Sequence, residues 1–127
     1  MLRRTASRIL LVDDDPDQVS IRTLLLEREG HQVETAADAA QAEVAARREA
    51  PDLVLMDLRI PRADDGLALI RTIRGILPVI PIVVVSGWME DLRNAPEAAL
   101  VSTCLRKPSR SEQLLRTVAG FARAAGE

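Results

Sequence analysis

The chain has 127 residues, 17 basic against 19 acidic side chains and a net charge of −2, a length that suits one compact domain rather than several. Hydrophobic content of 47% with 28% charged residues excludes global disorder, and a single cysteine, Cys104, excludes an intramolecular disulfide framework and a four-cysteine zinc site. No apolar run reaches the roughly 18–20 residues of a membrane span, and Met1-Leu2-Arg3-Arg4-Thr5 lacks the apolar stretch of a signal peptide, so the sequence predicts a cytoplasmic soluble domain without membrane association.

The elements alternate along the chain. Ile9-Leu10-Leu11-Val12 is a continuous apolar run, as a strand buried on both faces should be. Asp15-Pro16-Asp17-Gln18 then places an N-cap, a proline at the first helical position and a glutamine at N3, opening a helix over about 16–29 that Gly30 can close. His31 to Thr35 reads as an edge strand, with His31 a solvated surface residue. Asp38 can cap a second helix over 38–49, whose Arg47 and Arg48, like Arg3 and Arg4, belong to a solvated face. Leu53-Val54-Leu55-Met56 is the next buried strand, followed by a helix over 66–75 closed by Gly75 and Pro78. Residues 79–85 give a fourth strand, 90–100 a fourth helix, Cys104-Leu105 a weaker fifth strand, and 110–124 a last amphipathic helix through Leu114, Leu115, Val118 and Phe121. Strands alternating with helices predict a parallel sheet covered on both faces by right-handed crossovers. The expectation is one α/β domain over 1–127: a doubly wound (βα)₅ fold with five parallel strands.

In such sheets ligands bind beyond the carboxyl ends of the strands, where strand order reverses. Strand one ends in Asp13-Asp14-Asp15, strand three in Asp57, strand four in Ser86-Gly87 and strand five in Lys107-Pro108. Three consecutive carboxylates repel one another and call for a counter-charge, which a hard divalent cation with oxygen ligands and retained waters supplies in the manner of Mg²⁺. Asp13 and Asp14 are candidate ligands, whereas Asp15 reads as the helix cap. Among 17 basic residues only Lys107 is lysine; a compact ammonium in a tight pocket is one explanation, chance the other.

These residues carry a resemblance. Ile9-Leu10-Leu11-Val12-Asp13-Asp14-Asp15-Pro16, Asp52-Leu53-Val54-Leu55-Met56-Asp57-Leu58-Arg59-Ile60-Pro61, Pro81-Ile82-Val83-Val84-Val85-Ser86-Gly87 and Leu105-Arg106-Lys107-Pro108 follow in order at spacings that resemble a receiver domain of the two-component response-regulator family, of the stand-alone, chemotaxis-regulator type. The resemblance covers essentially the whole chain and implies a flavodoxin-like sheet with strand order 2-1-3-4-5 and no output domain. It implies a phosphoryl-accepting Asp57, an acidic pair Asp13 and Asp14 holding Mg²⁺ with Asp57 and the backbone carbonyl of Arg59, a switch hydroxyl at Ser86, and Lys107 pairing with the phosphoryl group. It also implies a sensor histidine kinase or phosphotransfer protein as donor and a downstream protein partner, with no enzyme activity beyond the domain's own phosphorylation and dephosphorylation. Charge agrees with these roles, because a cation and an ammonium offset the repulsion between a carboxylate nucleophile and an anionic phosphoryl group.

Several positions depart from the family pattern. From Asp57 to Gly66 the loop is one residue longer than usual, leaving Asp64 or Asp65 for the family's acidic place, with helix capping the plainer role of Asp65. Cys104 stands where the family usually has an aromatic residue, and the chain contains no tyrosine. Leu100-Val101 replaces a common Gly-Ala pair, and Ser109 follows Lys-Pro where phenylalanine is common. Cys104 reads as a small buried hydrophobe rather than a redox sensor. Trp88 reads either as packing on the fourth helix or as a lid that limits water access. Two other functions fit parts of this pattern. An Mg²⁺-dependent aspartate-nucleophile phosphatase usually places a second aspartate two residues beyond the nucleophile, where this chain has Arg59. A receiver-like binding module that is never phosphorylated has no need of Asp57, Ser86 and Lys107 together. Direct nucleic-acid binding is not expected from a net charge of −2, 2% aromatic content and no DNA-binding motif.

Overall fold

The computed structural model describes residues 7–126, with side chains through residue 121. Arg3, Arg4 and the rest of the first six residues lie outside the described residues. Five parallel strands, β1 (Arg8–Val12), β2 (Gln32–Ala36), β3 (Leu53–Asp57), β4 (Ile82–Ser86) and β5 (Thr103–Arg106), form one sheet in the order β2-β1-β3-β4-β5. They are linked by α1 (Pro16–Arg28), α2 (Ala39–Arg48), α3 (Ala63–Ile76), a short α4 (Met89–Arg93) with a 3₁₀ turn (Pro96–Leu100), and closed by α5 (Ser111–Gly126). The expected strand order and alternation are present.

Strand pleat sorts the apolar runs into two cores. Leu10, Val12, Val54, Met56, Ile82 and Val84 face α2 and α3, meeting Ala42, Ala45, Ala46, Leu69, Ile70 and Ile73. Their alternates Ile9, Leu11, Leu53, Leu55, Val83 and Val85 face α1 and α5, meeting Leu26, Leu114 and Val118. Truncating a central residue such as Leu55 to alanine removes contacts on a fully closed face, at a cost of about 2–5 kcal/mol.

Local chemistry sets the boundaries. Asp15 caps α1 by accepting the Asp17 N–H at 3.0 Å, with Pro16 at the first helical position. Gly30 leaves that helix at φ +93°, a left-handed conformation that glycine adopts without cost, and Asp38 caps α2 through the Gln41 N–H at 2.8 Å.

Four expectations change. The fourth helix does not run from 90 to 100: Pro96 has no N–H and cannot continue a helix, so α4 stops at Arg93 and a separate 3₁₀ turn starts at the proline. Strand β4 begins at Ile82 rather than 79, because Pro81 cannot donate to a ladder, and Val79 is exposed. Helix α3 starts at Ala63 and runs through Gly75 to Ile76, so Gly75 lies inside it rather than closing it. His31 is buried, not solvated: its Nδ1 accepts the backbone N–H of Ser7 at 3.1 Å, and burial lowers its pKa against the opposing pull of Glu29.

Candidate functional site

The strand order reverses between β1 and β3, and the carboxyl ends of those two strands carry Asp13 and Asp57. Both are buried, at 1% and 4% exposure, which is rare for carboxylates without partners. Asp13 has two partners. Its Oδ1 accepts the Asp15 N–H at 2.9 Å, and its Oδ2 pairs at 3.0 Å with Nη1 of Arg22, a buried arginine on α1. Asp57 has Lys107 on one side, with Nζ 2.7 Å from Oδ1. The approach is off the axis a hydrogen bond needs, so Oδ1 remains a buried oxygen without an aligned donor. Burial pushes the Asp57 pKa up to about 7, a contact with Asp13 adds to the rise, and Lys107 opposes both.

Ser86 ends β4, buried beside this pair. Its Oγ accepts the Trp88 N–H at 3.0 Å and lies 3.1 Å from the Trp88 carbonyl oxygen, so the hydroxyl is folded onto its own loop. The Lys107 N–H donates to the Ser86 carbonyl at 2.9 Å, which ties the ends of β4 and β5 together. Trp88 is half exposed rather than packed away, and the Arg59 guanidinium stacks on its ring. The space beside Cys104 is shared with a thioether: Met89 Sδ lies 3.5 Å from the Cys104 Sγ. Burial pushes the Cys104 thiol up, against the pull of Arg106, which suits a packing role and not a reactive thiolate.

The longer loop is accommodated ahead of α3. The Asp65 carboxylate accepts the Arg62 N–H at 3.2 Å and so caps that helix, while Asp64 is exposed. Gly66 anchors the other end. A Cβ there would lie 1.9 Å from the Leu58 carbonyl oxygen, so only glycine lets α3 pack this closely on the residue after Asp57.

Of the expected metal ligands, Asp13 and Asp57 meet at the rim and Asp14 is exposed. Among the described residues no three acidic, imidazole or thiolate groups gather closely enough to hold a metal. Two carboxylates still fit Mg²⁺, which keeps several waters and takes only one or two protein carboxylates. Asp57 Oδ1, with no aligned hydrogen-bond donor, keeps lone-pair capacity that fits such an ion. Sequence reasoning missed Arg22. The signal was its spacing: Val19, Arg22 and Leu26 fall on one helical stripe, and a charge within an apolar stripe needs an internal partner.

An open, doubly wound parallel sheet whose rim gathers aspartate, serine and lysine defines a phosphoacceptor-type signalling module rather than a nucleotide-binding fold with a glycine-rich loop. A profile of the response regulator receiver domain matches residues 9–119, and the chain belongs to that family of two-component signalling. It is 32% identical over 114 residues to protein PilH of Pseudomonas aeruginosa, covering 88% of this chain and 94% of that one. It is 42% identical over 85 residues to the nitrogen assimilation regulatory protein NtrX of Azorhizobium caulinodans, covering 65% of this chain and 18% of that much longer one. Among solved structures, a CheY-like receiver domain protein from Methanospirillum hungatei superposes with a TM-score of 0.85 at 26% identity, covering 94% of this chain and 96% of that one. The receiver domain of NtrX from Brucella abortus gives 0.80 at 32% identity, covering 91% and 98%. Among the described residues no helix is long and apolar enough to cross a membrane.

Proposed function

We propose that this chain accepts a phosphoryl group on Asp57 from a histidine kinase or phosphotransfer protein, with Mg²⁺ at the Asp13–Asp57 rim, and that the modified domain changes its binding to a downstream protein. The carrying observation is the buried Asp57 carboxylate at the end of β3, with the Lys107 ammonium 2.7 Å away and Asp13 beside it. A carboxylate oxygen of Asp57 forms a bond to phosphorus as the donor's P–N or P–O bond breaks; the leaving group keeps the bonding pair, an imidazole then taking up a proton and an acetate departing as the anion. Lys107 stays near the new phosphoryl oxygens and offsets their charge, and Ser86 turns from the Trp88 backbone to donate to one of them. Asp13, Asp14 and Asp57, with the Arg59 carbonyl as a further ligand, would hold Mg²⁺, which supplies Lewis-acid neutralisation of the phosphoryl charge when bound.

A phosphatase is not favoured. Two residues beyond Asp57 stands Arg59, whose guanidinium is committed to Asp91 and Trp88 and is no general acid or base. Mass spectrometry after incubation with acetyl phosphate and MgCl₂ tests the reading. Wild type gains one phosphoryl group in a Mg²⁺-dependent way and Asp57→Asn gains none; equal labelling of both would move the acceptor elsewhere.

A further inference from the structure

Arg22 is 6% exposed, and its ion pair with Asp13 at 3.0 Å is the most enclosed of those formed among the described residues. It occupies an α1 position between Val19 and Leu26 that an apolar side chain would fill at lower desolvation cost. With the Asp15 N–H on Oδ1 and Arg22 on Oδ2, both oxygens of Asp13 are already engaged. Arg22 also lines, with Asp15, Trp88 and Lys107, a groove of about 520 Å³ that opens beside the strand ends. The guanidinium therefore sits against the acidic rim and reaches the one buried member of the Asp13–Asp14 pair.

We propose that Arg22 is a positioning residue that acts as an internal counter-cation: it holds Asp13 while the rim is metal-free and competes with a divalent cation for that carboxylate, so that it sets the affinity for that cation. The inference rests on the reading of Asp13 and Asp57 as the Mg²⁺ ligands. A permanent cation against Asp13 opposes a second cation at the same carboxylate and stabilises the arrangement in which no third acidic group joins the pair. Apparent affinity falls by the fraction of molecules in which Asp13 is free, so a pair closed about nine-tenths of the time weakens binding roughly tenfold. A buried charge cannot simply be discarded, however. Without Arg22 the carboxylates lose their fixed partner, and the folded domain leans more heavily on the metal.

Titration of the whole chain with MgCl₂, by calorimetry and by Trp88 emission, separates the outcomes. Arg22→Gln, which keeps a hydrogen-bond donor without the charge, is expected to tighten Mg²⁺ binding on the order of tenfold and to show a larger Mg²⁺-induced rise in melting temperature than wild type. Arg22→Lys restores the charge and returns affinity to within about threefold of wild type. Arg106→Gln removes an exposed charge next to Lys107 without touching Asp13 and changes affinity less than twofold. Should Arg22→Gln not fold without metal, Arg22→Leu, which continues the apolar stripe, carries the same expectation. Equal or weaker Mg²⁺ binding in Arg22→Gln and Arg22→Leu, or an equal gain in Arg106→Gln, overturns the role of Arg22 and leaves the metal site standing. No Mg²⁺ response in any protein, wild type included, overturns the metal reading and this inference together.

Discussion

The Arg59 guanidinium lies 3.8 Å from the centre of the Trp88 ring, while its Nε donates to Asp91 Oδ2 at 2.8 Å. One side chain thus joins the loop after β3 to the first turn of α4, with the indole laid over it. Hydrolysis of a phosphorylated Asp57 needs water in line with the aspartyl–phosphorus bond, and neither residue of this stack can act as general base for that water. Self-dephosphorylation is expected to be slow. Trp88→Ala should speed the decay of the purified phosphoprotein about threefold or more, roughly 0.7 kcal/mol in barrier. Arg59→Ala should move it in the same direction, since the indole loses its seat. Time courses on phosphate-affinity gels read this directly, and a Trp88→Ala decay no faster than wild type would make the indole packing alone.

Asp57 ties stability to pH. Its pKa is raised from 3.8 to about 7, first by burial and then by Asp13, with Lys107 pulling the other way. Between those two values the native state holds a proton that the unfolded chain has released, so stability is fully present below about pH 4 and falls as pH rises toward 7. Asp57→Asn cannot ionise and escapes this loss. Urea unfolding should find the variant about 1–3 kcal/mol more stable than wild type at pH 8 and close to it at pH 4. Saturating MgCl₂ should narrow the gap at pH 8 by binding the ionised carboxylate. A gap that is constant with pH would assign the effect to packing.

The strands were legible because β1, β3 and β4 are buried on both faces and so read as unbroken runs of Leu, Ile, Val and Met, while their order in the sheet came with the family resemblance. Their ends marked the rim, since a polar residue after such a run has nowhere to go but the strand's carboxyl end. Punctuation inside apolar stretches was harder to weigh. Pro96 and Pro81 each override the hydrophobic pattern around them, dividing the fourth helix and trimming the fourth strand. His31 and Arg22 were misread or missed for a shared reason. A polar side chain is buried when a distant partner satisfies it, and Ser7 and Asp13 are brought to them only by the fold. Met89 beside Cys104 is a similar case: the spacing of 15 residues along the chain carries no hint that the two sulfur atoms meet.

Gly66 should tolerate no side chain. A Cβ at this position would sit 1.9 Å from the Leu58 carbonyl oxygen and 2.8 Å from its Cα, both backbone atoms of a residue that is itself fully buried. Relief requires moving the start of α3 away from the segment that follows Asp57. Gly66→Ala is expected to cost about 3 kcal/mol or more in chemical unfolding, despite the better helix propensity of alanine. Gly75→Ala, in the same helix with open space around the new methyl, should be neutral or stabilising by up to about 1 kcal/mol. Similar losses in the two variants would show that the Leu58 contact is not what matters.

Ser86 starts from a closed hydroxyl. Its Oγ is engaged by the N–H and carbonyl of Trp88, so reaching a phosphoryl oxygen on Asp57 means abandoning the loop that carries Trp88 and leads into α4. The exchange is favourable because a hydrogen bond to a charged oxygen contributes about 1.5–3 kcal/mol, against about 1 for a neutral one. The released Trp88 N–H and the Arg59–Asp91 pair are then expected to shift with the loop, which would give the domain a route to its outer surface without an aromatic ring at position 104. Met89 packs against Cys104 on that route, and a flexible thioether yields more readily than a ring, so the response should be a graded population shift. Amide exchange over residues 86–100 is expected to change on phosphorylation or with beryllofluoride in wild type. Ser86→Ala should still be labelled on Asp57, with the exchange change reduced several-fold and the phosphoprotein less favoured by roughly tenfold at equilibrium with donor. An undiminished exchange response in Ser86→Ala would place the relay elsewhere, with the Arg59–Asp91 pair the next contact between the β3 loop and α4 to be cut.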